Sequence, residues 1–163
     1  MQALRSAWDD IRSGDAGRIG AGLAALKRWT ESSPGYASAS LEDAGAFDFL
    51  GREKEAAPLY AKVGSLGWQK LPEIERPHFF MQYGSTLRNL GRLDEALALL
   101  REGVMRFPAE SSLRALLGLA EYSRGDHRSA ALSFASALAS EAKKSGGLGG
   151  FSRAFAEYTP KLS

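Results

Sequence analysis

The chain has 163 residues, enough for one ordinary domain with a real core, and needs no disulfide or metal to hold it together. It has no cysteine, which excludes thiol catalysis, iron–sulfur clusters and thiolate zinc sites. Its 21 Lys+Arg against 19 Asp+Glu are interleaved and give no basic stripe for a phosphate backbone.

The first residues, MQALRSAWDDIRSGD, place acids where a signal peptide needs a cationic lead. No apolar run approaches the roughly 18 residues of a membrane span. The expectation is a soluble, cytoplasmic protein that binds neither nucleic acid nor membrane.

Apolar spacing is helical from the start. Leu4, Trp8 and Ile11 share one face, as do Ile19, Leu23 and Leu26. β-Branched residues are scarce and alanine and leucine abundant, so the chain is expected to be all-α. Residues 3–36 read as a divergent helix pair ending near Pro34, with Gly17, Gly22 and Leu26 at turn, small and large places. "GAGLAA" at 20–25 fits a dinucleotide fingerprint in letters only, because "DDIRSGDAGRI" before it is no strand.

A clearer unit follows at 37–70, with Ala44, Gly51, Ala56 and Tyr60 at successive offsets of seven, five and four residues. "GWQKLPEIERPH" then carries Pro72 and Pro77 and is predicted to be a helix-free linker. The unit at 77–110 repeats the offsets as Gly84, Gly91, Ala96 and Leu100 and closes on Pro108. A shift of 34 residues gives Gly118, Gly125, Ala130 and Phe134 in the unit at 111–144.

Each place has a mechanical reason. The small residue lets two helices cross closely, the glycine supplies the turn, the alanine completes the crossing, and the large residue enters the core. Glu53, Glu55, Asp94 and Glu95 fall in the first turns of second helices, where they meet the positive end of the helix dipole. That is a simpler cause than a pair of catalytic carboxylates.

After the last unit, "KKSGGLGG" reads as a link. "FSRAFAEYTPKL" puts Phe151, Phe155 and Tyr158 on one face of a capping helix over 148–159. "SGGLGG" lacks the Gly-Lys-Ser/Thr of a phosphate loop, and "SEAK" at 140–143 stands alone. The two imidazoles, His78 and His127, fall on different helices, so no two-histidine zinc pair forms on one helix. Nothing marks a nucleophile, and neither cofactor, metal nor enzymatic activity is expected.

The small–glycine–alanine–large order at a 34-residue period resembles the tetratricopeptide repeat family. "QYGSTLRNLGRLDEALALLREGVMRFP" carries the resemblance most closely; in the following unit Arg114 stands where a large residue belongs. The resemblance implies a right-handed superhelical stack of antiparallel helix pairs, a TPR-like α-solenoid with a C-terminal capping helix. It also implies that first helices line a concave surface that holds a peptide of another protein.

Carried over by helical periodicity, that surface takes His78, Met81, Ser85, Arg88 and Asn89 from the central unit, with Gln82 beside them. Leu41, Gly45, Asp48 and Phe49 join from the preceding unit, and Ala115, Leu119, Tyr122 and Ser123 from the following one. Arg88 either receives a partner carboxylate, with Asn89 or Gln82 holding the peptide backbone, or bonds Asp48. The basic clamp of some family members is not reproduced, since Leu41 and Gly45 stand where its lysine and asparagine would be.

The leading expectation is a non-catalytic module for a protein or peptide partner. Self-association into a homo-oligomer, through an end of the stack or a patch such as Trp68 or Phe151, comes second. An enzyme pairing His78 with a carboxylate comes third.

Overall fold

The computed structural model describes residues 2–145; the expected capping helix at 148–159 lies outside them. Among the described residues all regular structure is helical. α1 (Gln2–Ile11) and α2 (Ala16–Ser32) precede α3 (Ala37–Phe49) and α4 (Glu53–Leu66). After a 3-10 turn at Trp68–Lys70 come α5 (Arg76–Asn89), α6 (Leu93–Arg106), α7 (Ser111–Arg124) and α8 (His127–Ser145). The linker thus holds one short turn. Pro77 sits in the first turn of α5, where its missing N–H costs nothing.

The chain divides into two compact units, Met1–Phe79 and Phe80–Ser163, with the boundary inside α5. In the first unit, α1 and α2 build a core from Ala7, Ile11 and Leu26 with Ala46 of α3, flanked by Leu4, Trp8, Leu23 and Trp29. Gly22 makes the closest crossing: a Cβ there would lie 2.6 Å from the Ala7 carbonyl oxygen and 2.8 Å from Ile11. Leu26 is buried as expected, but the turn falls elsewhere. Gly14, at φ 75°, makes it, and Gly17 lies within α2. Asp15 is the reason: its carboxylate accepts the Arg18 backbone N–H at 2.8 Å, which starts α2 at Ala16.

α3 packs against both α2 and α4, and nine of its 13 residues are buried, so it has no solvent face of ordinary width. Ala44 of α3 and Ala56 and Tyr60 of α4, which packs on it, have no exposed surface. Asp43 is caught in this interior, with Oδ1 buried and lacking a hydrogen-bond partner. Burial favours its neutral form and raises its pKa above the ordinary carboxylate range. The nearby Thr30 hydroxyl and the charges of Lys27 and Lys62 offset only part of this.

A carboxyl with a raised folded pKa takes up a proton on folding. Stability therefore falls as pH rises from the unfolded value of 3.8 through the folded one. Asp43→Asn removes that slope. The variant is expected to melt above the parent at pH 7, with the gap closing towards pH 4; melting temperature across a pH series measures it.

In the second unit the crossings follow the small residues. A Cβ on Gly84 would lie 2.5 Å from Leu100 Cγ, and one on Gly118 would lie 2.8 Å from the Phe134 ring. Gly103 does the same against Phe80 and Leu113, at 2.9 and 3.0 Å. Leu100 has no exposed surface, whereas Phe134, on the last described helix, stays 37% exposed.

Arg114, in the place of a large residue, donates to the Pro108 carbonyl at 2.6 Å and ties α7 to the loop before it. Buried Glu121 accepts from the Ser133 hydroxyl at 2.7 Å and lies 3.7 Å from Arg101, which joins α6, α7 and α8. The first-turn acids stand where the dipole argument places them. Arg92 forks onto Glu95 at 2.8 and 2.6 Å and holds that carboxyl below its ordinary pKa, and Arg52 does the same to Glu55 one repeat earlier.

Candidate peptide-binding face

α5 is helical through Asn89, so Met81, Ser85, Arg88 and Asn89 recur at steps of four, three and one and share a stripe. Met81, Gln82, Ser85 and Arg88 are half-buried and Asn89 is exposed. On α7, Leu119 and Tyr122 are 38% and 60% exposed, unusual for residues of their size, and Ser123 is exposed beside them. Ala115 is half-buried one turn earlier.

Arg88 joins the two helices. Its Nη2 donates to Asn89 Oδ1 at 2.8 Å, and its Nη1 reaches Ser123 Oγ at 3.5 Å. The Ser123 hydroxyl in turn donates to the Leu119 carbonyl at 2.9 Å, which fixes its position on α7. The Arg88 Nε is buried without a hydrogen-bond partner, and Arg88 enters no ion pair among the described residues. A guanidinium oriented through its Nη atoms, with no carboxylate partner, suits an incoming anion at that edge. The Tyr122 ring lies tilted at 52° against that of His127, the first residue of α8, with centroids 4.8 Å apart, and stays 60% exposed.

In the first unit, Phe49 is 59% exposed and meets Trp8 edge-on at 6.1 Å. Asp48 is half-buried and His78 exposed. Leu41 and Gly45 are buried, so of the four residues expected from this helix only Asp48 and Phe49 offer side-chain surface.

A cavity of about 720 Å3, which no sequence motif marks, lies in the same unit between α1, α2 and α3. Trp29 and Tyr36, whose rings lie 5.9 Å apart, stand in its wall. Their aromatic character was the available signal. Among the described residues no group of three His, Asp or Glu is placed to hold a metal ion. No helix among them is long and apolar enough to cross a membrane.

Antiparallel helix pairs crossing at small residues, with their turn glycines at Gly51, Gly91 and Gly125 all at positive φ, define a helical-repeat protein. The chain belongs to the tetratricopeptide repeat family, whose model matches residues 37–162. Its fold is shared with the solved structure of MamA MSR-1 at TM-score 0.71 and 20% identity, over 87% of this chain and 76% of that one. MamA AMB-1 matches at TM-score 0.65 and 21% identity, over 83% and 69%. A search of curated proteins found no match. The fold is a helical solenoid of the kind that serves as a protein-interaction or assembly module.

Proposed function

We propose that the chain is a non-catalytic interaction module and that the α5–α7 face of its second unit holds an extended or helical segment of a partner protein. The supporting observation is Arg88, held by Asn89 and Ser123 with no carboxylate partner, with the exposed Tyr122 adjoining Ser123 on α7. In this reading Arg88 receives a side-chain or terminal carboxylate, Tyr122 and Leu119 cover an apolar side chain, and Gln82 and Ser85 hold the peptide backbone. Met81 extends the surface along α5. Arginine and tyrosine are the residue types that carry binding energy at interfaces.

Site-specific photo-crosslinking tests this. A benzophenone side chain at position 122 is expected to give a discrete adduct with a protein from the native lysate. The same group at Met105, 75% exposed on α6, is expected to give none. Equal adducts at both positions, or an adduct at 105 alone, would overturn the assignment.

A further inference from the structure

We propose that the cavity in the first unit receives residues 151–161 of a second copy of the chain, joining copies head to tail. This uses a surface apart from the α5–α7 face, and neither Arg88 nor Asn89 enters it, so the two readings fail independently.

The cavity is lined by Leu4 and Ala7 of α1, Leu26 and Trp29 of α2, and Tyr36. Its volume of about 720 Å3 is that of a site able to take several large side chains. The cavity opens beside Ala3 and Leu4 at the start of α1 and Trp29 and Ser32 at the end of α2.

The rim adds charge. The Glu42 carboxylate accepts the Trp8 indole N–H through Oε2 at 2.6 Å, and that of Glu75 accepts the Ser38 hydroxyl through Oε2 at 2.6 Å. Each is held in place with Oε1 left for another donor, and both border the cavity, with Arg28 also on its wall. Carboxylates oriented beforehand lose little freedom when a cation arrives.

Residues 151–161, "FSRAFAEYTPK", match both features. Phe151, Phe155 and Tyr158 recur at steps of four and three, an aromatic spacing in the sequence that suits an apolar wall. Arg153 and Lys161 provide cations for Glu42 and Glu75, and Glu157 an anion for Arg28.

The test is sedimentation of full-length variants across a concentration series. The parent is expected to associate as concentration rises. Phe151→Glu with Phe155→Glu, and separately Leu4→Glu, should each remain monomeric with parental circular dichroism. Mixed together, the two should recover a dimer, since one keeps the segment and the other the cavity. Should Leu4→Glu fail to fold, Glu42→Gln with Glu75→Gln keeps acceptors for Trp8 and Ser38 and should weaken association at least tenfold.

A parent that is monomeric throughout overturns the proposal, including the case in which its own segment folds back to fill the cavity. Association that survives Phe151→Glu with Phe155→Glu, or a mixture that stays monomeric while both variants are folded, also overturns it.

Discussion

Gly84→Val is expected to lower the free energy of unfolding by about 3 kcal/mol. The new Cβ would lie 2.5 Å from Leu100 Cγ and 2.6 Å from Cδ2, and Leu100 has no exposed surface into which it can retreat. A side chain in place of glycine favours the helix by only a few tenths of a kcal/mol for valine, so the clash decides the sign. Gly20→Ala provides the contrast. Gly20 lies inside α2 at ordinary φ, with nothing within 4 Å of its added Cβ, and alanine there should stabilise by about 1 kcal/mol. Gly91→Ala also meets open space but sits at φ 74°, and should cost about 1 kcal/mol through its backbone alone. Urea unfolding of the three variants reads these effects as midpoint shifts at a constant slope. A neutral Gly84→Val would mean that α5 and α6 do not cross closely.

These glycines also explain how much of the fold was legible. Gly84 and Gly118 each serve one local purpose, close approach, and their 34-residue spacing exposed the helix pairs without knowledge of any contact. The first pair was read less well because Asp15 starts α2 earlier than the repeat register, which moves the turn to Gly14. Phe134 meets Gly118 as its place requires, but how far it is covered depends on what lies beyond the pair, which no local pattern encodes.

The candidate face shows the same division. The stripe Met81, Ser85, Arg88, Asn89 is periodicity and was readable. Ser123 lies 34 residues after Asn89, so the repeat also placed it near Arg88. What could not be read was burial from several sides. Leu41 and Gly45 have the right spacing, but their helix packs against both α2 and α4. The carboxyl of Asp43 is enclosed for the same reason, and the cavity beside Trp29 is bounded by residues of α1, α2 and α3 together. These depend on the neighbours of whole helices.

Replacing Arg88 and Asn89 together tests the central claim most directly. Arg88 enters no ion pair among the described residues, and Asn89 holds its guanidinium through Oδ1. Arg88→Ala with Asn89→Ala therefore removes both the charge and its support. Truncating such an anchor typically costs about 2 kcal/mol of binding, or roughly thirtyfold in affinity. Arg88→Lys keeps the charge but loses the planar fork and should fall between parent and double variant. The measurement is affinity capture from the native lysate with quantified recovery of the partner, alongside helical circular dichroism. The account predicts loss of the partner with the helical signal unchanged; full recovery by the folded double variant would contradict it.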